Sequence, residues 1–240
     1  MIEIFRNAPG CHVRFDLLRE VPEFICLTTL SNESISAANQ GLNIATGIPE
    51  NRIVRIRQVH SDKIVEVHSP GDLPASPPEA DGIIITKPGV FGVVATADCV
   101  PVVLVNKKAR ATAVIHAGWK GTSAGITGKA AARLLALTSG NPAEVKAFAG
   151  PCIHSCCYEI GDEVIENLIS RGHDPEQIMN GRNLDLVRAN LLQAHDLGIE
   201  DISSSGFCTS CNPDLFYSYR RNHTGRRMLT VAGFIPQEFP

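Results

Sequence analysis

The sequence has few aromatic side chains and no strong excess of charge of either sign. Aromatic residues make up 5% of the 240 residues, with a single tryptophan, and the formal net charge is −3 at pH 7. A base-stacking platform needs several aromatic rings, and binding to nucleic acid or to an anionic membrane needs concentrated positive charge. We therefore expect neither a nucleic-acid partner nor a membrane partner.

Long apolar runs, internal repeats and export signals are also missing. The most apolar stretch, residues 90–105, contains Asp98 and Pro101 and is too short to span a bilayer. The first residues lack the basic and apolar segments of a secretory signal. Hydrophobic residues still make up 44% of the chain, which excludes intrinsic disorder. These features predict a cytoplasmic globular protein, with residues 1–240 as a single domain.

Cysteine, in contrast, is frequent. Eight cysteines are scattered along the chain without a regular framework: Cys11, Cys26, Cys99, Cys152, Cys156, Cys157, Cys208 and Cys211. Without an export signal we expect reduced thiols that serve packing, metal binding or catalysis. The CTSC pair fits half of a zinc site, a redox pair or two packing thiols, and the sequence leaves its role open.

Short β-branched runs alternate irregularly with helical patterns. Strands are predicted at residues 53–59, 64–68, 82–86, 91–97, 102–105, 111–116, 145–149 and 228–235. Helices are predicted at residues 162–170 and 184–198, and a further one after an N-cap at Thr122 or Ser123, with Gly140 as its terminator. No dinucleotide-binding or Walker-type glycine loop is present. We predict an α+β fold, a layered domain with mixed β-sheets flanked by helices.

Three candidate metal ligands follow or precede predicted strands: His60 in RQVHS, Cys99 in TADCVP and His116 in VIHAGWKG. Two imidazoles and one thiolate are a common ligand set for zinc, and three protein ligands leave a fourth position open for a reactant. A core cysteine with two hydrogen-bonded histidines fits the same spacing. From the residues alone, both interpretations stay open.

The segment after His116 has the sequence of an anion site. A strand, a glycine loop at residues 118–121 and a helix start present backbone N–H groups and a positive dipole end to an anion. Lys120 adds a full charge, and Trp119 is a candidate lid over a flat substrate. A tight turn with a solvated lysine is the alternative.

Further candidates flank these segments. The run FYSYRRNHTGRR contains four arginines and two tyrosines that could hold phosphate and stack on a base, or form a solvated face. Glu159 is a candidate general base. Asp98, next to Cys99, could orient a ligand or position a substrate amine.

Taken together, these segments resemble the YfiH-type family, long labelled multicopper polyphenol oxidase or laccase-domain protein. The motifs that carry the resemblance are RQVHSDKIV, ADGIIIT, ATADCVPVVLV, AVIHAGWKGTSAGI, AGPCIHSCCYEIG, FCT and FYSYRRN, in that order over residues 55–235. The resemblance implies a fold similar to that of the cytotoxic necrotizing factor catalytic domain. It also implies a metal site on His60, Cys99 and His116.

The resemblance further implies a purine nucleoside phosphorylase acting on adenosine, inosine, guanosine and methylthioadenosine, with adenosine deaminase activity. Its cofactor would be zinc, with copper as an alternative, and its partners a nucleoside and phosphate. The predicted catalytic residues are His60, Cys99, His116, Asp98 and Glu159. The predicted substrate and phosphate ligands are Asn43, Gln58, Trp119, Lys120 and Arg221. The chain departs from the family pattern at Asn222, where an acidic residue is usual, and at Lys120, where arginine is frequent.

Laccase chemistry is not expected. A laccase needs a blue-copper centre and a three-copper cluster, and therefore many imidazoles, whereas the eight histidines are scattered and form no His-x-His pair. Two rivals to the phosphorylase remain. One is a metal-free cysteine hydrolase or amidase acting on peptidoglycan precursors, with Cys99 as nucleophile and His116 as base. The other is a non-enzymatic metal-binding module. Oligomeric state and the preferred nucleoside cannot be predicted.

Overall fold

Two six-stranded mixed sheets form the centre of the fold. The computed structural model describes residues 2–5, 11–16, 23–31, 47–72 and 76–236. The first sheet has the order β1-β2-β3-β14-β7-β4 and the second β13-β10-β8-β9-β6-β5. The strands of the first sheet are β1 (Ile2–Phe5), β2 (His12–Phe15), β3 (Phe24–Thr29), β4 (Ile53–Val54), β7 (Phe91–Thr96) and β14 (Met228–Phe234). Those of the second are β5 (Ile64–Val67), β6 (Gly82–Ile85), β8 (Val100–Asn106), β9 (Ala111–Ala117), β10 (Val145–Ala149) and β13 (Asp201–Ser204).

Helices cover one face of the second sheet. They are α1 (Trp119–Ser123), α2 (Ile126–Leu137), α3 (Asp162–Ser170), α4 (Pro175–Ile178) and α5 (Leu186–His195). A further short helix, α6 (Tyr219–Asn222), follows β13 in the chain and has no buried residue. A small hairpin, β11 (Met179–Asn180) with β12 (Asn183–Leu184), lies between α4 and α5. Within the described residues, no helix is both long enough and apolar enough to cross a membrane.

The central strands of the second sheet are buried on both faces, which explains their continuous apolar runs. Every residue of β8 and β9 is buried. One core joins the two sheets and includes Val103, Val114 and Met228. A second core joins the other face to the helices and includes Ile115 and Leu134. A strand covered on both sides has no polar face, so its sequence does not alternate. The predicted α+β class with mixed sheets is confirmed.

Some predicted boundaries are wrong. The helix after β9 begins at Trp119, not after a cap at Thr122 or Ser123, and breaks at Gly125, whose φ of 78° lies in the left-handed region. Thr122 is fully buried and its hydroxyl accepts a hydrogen bond from Asn190 instead of capping a helix. Helix α2 ends at Leu137 with Thr138 as its C-cap, and Gly140, the predicted terminator, lies in the turn that follows and donates its N–H to the carbonyl of Leu135.

Of the strand predicted at residues 53–59, Ile53 and Val54 pair in β4, and Arg57 forms an isolated parallel bridge with Glu79. Beyond it, the side-chain amide of Gln58 takes the place of a backbone partner, donating to the carbonyl of Ala95 and accepting from its N–H at 2.8 and 2.7 Å. The helix predicted at 184–198 begins at Leu186, because Asp185 caps it by accepting from the N–H of Arg188. Strand β8 begins earlier than predicted, because Val100 already pairs with Ala117.

Candidate metal centre

The register of the second sheet brings several chain segments to one end. Strands β5 and β6 are parallel, so they begin side by side. Both β6 and β8 run antiparallel to β9, so the start of each lies beside the end of β9. The residues just before β5, β6 and β8 and the last residues of β9 therefore meet at the same edge. His60, Asp81, Cys99 and His116 occupy these positions.

His60, Cys99 and His116, called the His–Cys–His cluster below, come together at this edge. Their ligand atoms lie within 4.8 Å of one another. The two imidazole rings stand edge to face, with centroids 4.8 Å apart and an interplanar angle of 83°. His116 is 3% exposed, whereas His60 is on the surface and Cys99 is half-buried. The cluster thus has one side anchored in the protein and one side open to a small molecule.

Asp81 fixes the orientation of this cluster. Its carboxylate is fully buried and accepts from His116 Nδ1 at 2.8 Å. It also accepts from the backbone N–H groups of Val59, His60 and Ser61 at 3.2, 3.0 and 2.6 Å, and from the Ser61 hydroxyl at 2.8 Å. With Nδ1 held by Asp81, His116 can offer Nε2 to a ligand. The same carboxylate also holds the backbone turn that carries His60, which adopts a φ of 57°.

The charges of the cluster support one another. Burial raises the pKa of the Cys99 thiol, but hydrogen bonds from His116 and His60 outweigh it and lower the value to about 6. Burial lowers the pKa of His116, but hydrogen bonds to Asp81 and Cys99 outweigh it and raise the value to about 9. The hydrogen bonds to His116 and Ser61 overcome burial and hold the pKa of Asp81 below its usual range. Near pH 7 the apo cluster is therefore a thiolate–imidazolium–carboxylate chain.

The donor atoms of the cluster and the glycine beside them suit a bound metal ion. A Cβ placed on Gly118 would lie 3.0 Å from Cys99 Sγ and 3.1 Å from His60 Cδ2, so a side chain at this position would press on two of the three donors. Two nitrogens and one thiolate on a rigid edge form a set that binds zinc or a blue-copper ion. The residues present therefore fit the predicted metal, and they do not determine which metal binds.

Asp98 lies beside the cluster but its carboxylate is already engaged. One oxygen accepts from the Thr209 hydroxyl at 2.6 Å and the other from the backbone N–H of Arg220 at 2.7 Å. Asp98 is 8% exposed and has a φ of 88°, in the left-handed region. These contacts favour a role in holding the Cys99 backbone rather than in moving protons.

Trp119 and Lys120 follow the cluster directly on α1. Trp119 is half-buried and Lys120 is exposed, with its Nζ 5.5 Å from the centroid of the indole ring. An aromatic face and a positive charge are thus presented side by side. The side-chain amide of Gln58, by contrast, forms two hydrogen bonds with the backbone of Ala95. Gln58 therefore has a structural contact as well as its predicted role as a substrate ligand.

The structure gives the remaining predicted site residues contacts outside the His–Cys–His cluster or does not describe them. Arg221 donates to the carbonyls of Thr209, Ser210 and Phe216 at 2.7, 3.2 and 2.9 Å, which occupies three of its five N–H donors. Glu159 is exposed and its backbone bridges Asn183. Asn43 lies outside the described residues.

Asp81 was not among the predicted site residues. The signal was present in ADGIIIT, where a carboxylate directly precedes a buried strand. An aspartate before a strand is usually a turn residue, and only the antiparallel register of β6 with β9 shows that it faces His116. Thr209 was missed for the same reason, because 111 residues separate it from Asp98.

The fold and site define a layered α+β protein with a three-residue candidate metal centre at the end of one sheet. A family profile described as multi-copper polyphenol oxidoreductase laccase matches residues 31–234. The chain therefore belongs to this family, the YfiH-type family that its motifs resemble.

Curated relatives and solved structures agree with this membership. A purine nucleoside phosphorylase of Clostridium acetobutylicum is 32% identical over 169 residues, 70% of each chain. One of Deinococcus radiodurans is 34% identical over 202 residues, 82% of this chain and 76% of the relative. The crystal structure of YlmD from Geobacillus stearothermophilus superposes with a TM-score of 0.85 and 25% identity, covering 98% of this chain and all of that one (100%). The Bacillus licheniformis hypothetical protein YfiH gives 0.83 at 25% identity, covering 96% and 98%.

Proposed function

We propose that the chain is a zinc-dependent purine nucleoside phosphorylase whose reaction takes place at the His–Cys–His cluster. The observation that carries the proposal is the convergence of His60, Cys99 and His116 within 4.8 Å, with an open side facing the surface. The names of the curated relatives support the reaction type. Adenosine, inosine, guanosine and methylthioadenosine are the proposed substrates, together with phosphate.

In phosphorolysis a phosphate oxygen bonds to C1′ of the ribose, and the bond from C1′ to the purine nitrogen breaks. Its electron pair leaves with the purine, which takes up a proton. When bound, zinc supplies a Lewis acid that polarises a reactant oxygen and lowers its pKa. Asp81 keeps Nε2 of His116 directed at the site, and Lys120 offers a cation to the incoming anion.

Further roles follow from the neighbouring contacts. Trp119 presents an indole face beside Lys120, which suits a purine ring next to a phosphate. Because both oxygens of Asp98 accept hydrogen bonds, we assign proton transfer to Glu159 and positioning to Asp98. Arg221 and Gln58 support the loops around the substrate, and Asn43 stays a predicted substrate ligand.

The same site would deaminate adenosine if water took the place of phosphate: the water oxygen would bond to C6, the bond from C6 to the amino nitrogen would break, and that nitrogen would leave as ammonia with a proton from the water. The zinc deaminase signature, H-x-E with P-C-x-x-C, is absent from the sequence, so this reaction would use the His–Cys–His cluster instead. We assign the whole chain, residues 1–240, to one catalytic domain, since a shared core joins the two sheets. A reducing, cytoplasmic compartment would keep the thiols available as ligands.

The test is phosphate-dependent release of base from inosine and adenosine, measured by chromatography alongside metal analysis. We expect hypoxanthine or adenine and ribose 1-phosphate only with phosphate present, and loss of turnover after chelation. Cys99→Ala should lose the zinc of this cluster and with it about a hundredfold in turnover, the upper end of the range found when the surroundings of a metal ligand are disturbed. Cys26→Ala, a buried cysteine of β3, is the matched control and should keep both. Full phosphorolysis by Cys99→Ala would refute the assignment.

A cysteine hydrolase is the second candidate, and the thiolate chain favours it. Cys99, His116 and Asp81 form the nucleophile, base and orienting carboxylate of such an enzyme. The predicted likeness to the cytotoxic necrotizing factor catalytic domain would fit this chemistry, with peptidoglycan precursors as substrates. For this candidate, alkylation of Cys99 would abolish activity and chelation would leave it unchanged.

A further inference from the structure

Four other cysteines meet in space outside the His–Cys–His cluster. Cys156, Cys157, Cys208 and Cys211, called the four-cysteine cluster below, have sulfur atoms within 4.8 Å of one another. The Cys156 and Cys157 sulfurs are 3.8 Å apart, those of Cys156 and Cys211 are 3.7 Å apart, and those of Cys157 and Cys211 are 3.4 Å apart. The pair CxxC at 208–211 is thus completed by a pair from another loop.

These distances fit one tetrahedral ion. Zinc–sulfur bonds of about 2.3 Å place the sulfurs at the corners of a tetrahedron with edges of about 3.8 Å. A disulfide needs about 2.05 Å between its sulfurs, and all eight cysteines are free thiols in the structure. The cluster therefore has the size of a tetrathiolate metal site before any ion is added.

The polypeptide around the cluster also fits bound thiolates. The Cys208 sulfur accepts hydrogen bonds from the backbone N–H groups of His154 and Cys211. Such N–H···S bonds stabilise a thiolate without adding a ligand. Arg220 places its guanidinium 3.3 Å from the Cys157 carbonyl and so brings a positive charge beside a site that would carry net negative charge.

The two loops that supply the ligands are already joined at their bases. Cys152 and Cys208 form an isolated parallel bridge, with the N–H of Cys152 donating to Phe207 and the N–H of Thr209 donating to Cys152. Thr209 in turn donates its hydroxyl to Asp98, next to Cys99. A metal ion bound between these loops would therefore fix the position of Thr209, which holds Asp98 and so the backbone next to Cys99.

We propose that the four-cysteine cluster binds a second zinc ion, coordinated by four thiolates and closed to substrate. This ion fastens the loop after β10 to the loop between β13 and α6. It has a structural role, because four protein ligands leave no position for a reactant. The site is separate from the proposed phosphorylase centre and does not depend on that centre's activity.

Metal stoichiometry of the intact protein tests the proposal. We expect two zinc equivalents in the wild type and one in Cys99→Ala. The double variant Cys156→Ser with Cys211→Ser, at two exposed positions, should also hold one equivalent, and Cys26→Ala should hold two. If the double variant holds as much zinc as the wild type, or if Cys99→Ala holds none, the proposal is wrong.

Cobalt substitution gives a second, spectroscopic readout of the same site. Protein produced in cobalt-supplemented medium as Cys99→Ala should show the intense thiolate-to-cobalt charge-transfer bands of a four-sulfur tetrahedral site. The double cysteine variant should lose these bands and retain the weaker spectrum of a single-thiolate site. Disulfides among the four cysteines in freshly purified, metal-replete protein would overturn the proposal. A lack of phosphorolysis alongside an intact four-sulfur spectrum would count against the phosphorylase only.

Discussion

Asp81 connects the chemistry of the site to its backbone. A single buried carboxylate accepts from His116 and from three consecutive backbone N–H groups at residues 59–61. The imidazole and the His60 turn are therefore held by the same atoms, and the position of one is tied to that of the other. A carboxylate in this position also raises the basicity of a histidine ligand, as metal sites commonly require.

The reactivity of Cys99 in metal-free protein is expected to depend on Asp81. The Cys99 pKa of about 6 means that the thiolate forms as pH rises through that value, so alkylation by iodoacetamide should level off above about pH 7. In Asp81→Asn the imidazolium loses its carboxylate, and the inflection should move up toward the ordinary thiol value. At pH 7 each added pKa unit above the pH removes about tenfold of the thiolate. Mass spectrometry of the modified peptide measures the rate.

The control for this experiment is Asp62→Asn. Asp62 forms an exposed ion pair with Lys129 and is not a partner of the cluster. Its substitution should leave the inflection near pH 6. The account of the charge chain would be wrong if Asp81→Asn also kept the wild-type profile.

At the residue scale, the candidate metal ligands could be predicted from the sequence. The residues that hold those ligands in place through hydrogen bonds could not. His60, Cys99 and His116 were identifiable because each stands at a predicted strand end and within a family motif. Asp81 and Thr209 act across 35 and 111 residues of sequence, and no local pattern encodes those contacts. The catalytic and substrate roles assigned to individual residues stay predictions.

The turn between β9 and α1 sets the space in which a ligand can sit. Gly118 is the residue before α1, and a Cβ there would crowd Cys99 and His60. We expect Gly118→Ala to weaken zinc binding at the His–Cys–His cluster by tenfold or more, on the order seen when the support of a ligand is disturbed. Competition with a chromogenic chelator measures the affinity.

Gly161→Ala is the matched control for this turn. Gly161 likewise precedes a helix, and a Cβ on it would have no heavy atom within 4 Å. Zinc affinity should stay at the wild-type value in this variant. If Gly118→Ala also bound zinc with the wild-type affinity, the turn at Gly118 would not be what limits metal binding at the His–Cys–His cluster.

At the element scale, the buried strands were predicted well. The places where a long-range side-chain hydrogen bond replaces a helix cap or a strand partner were not predicted. Predicted bounds of β10 and α3 agree with the structure, because their apolar patterns and flanking turns are local signals. The helix after β9 was misplaced because the predicted cap residue Thr122 is instead buried and accepts a hydrogen bond from Asn190, which also accepts one from Thr127. Gln58 likewise replaces a strand partner through its side chain.

At the scale of the whole molecule, the second sheet is covered on both faces and places its reactive residues at one end of its strands. The second sheet is covered by the first sheet on one face and by helices on the other, so its ends are where polar groups can stand. The end of β10 lies beside the start of β8, and the end of β13 beside the end of β10. The four-cysteine cluster therefore follows strands that end at the same edge as the His–Cys–His cluster.

The ligand inventory argues against multi-copper chemistry despite the family's description. Among the described residues, which include all eight histidines, His60 and His116 are the two that belong to a cluster able to hold a metal ion. A laccase needs enough imidazoles for four copper ions in two kinds of centre. One His₂Cys cluster and one set of four thiols do not supply them. The layered fold could be predicted from strand and helix patterns, whereas this separation into two clusters required the sheet register.

X-ray diffraction recorded on both sides of the zinc absorption edge tests the central claim most directly. The account predicts an anomalous peak within bonding distance of His60, Cys99 Sγ and His116, with a fourth position taken by water, phosphate or substrate. An active, metal-replete crystal with no peak at these three side chains would contradict it.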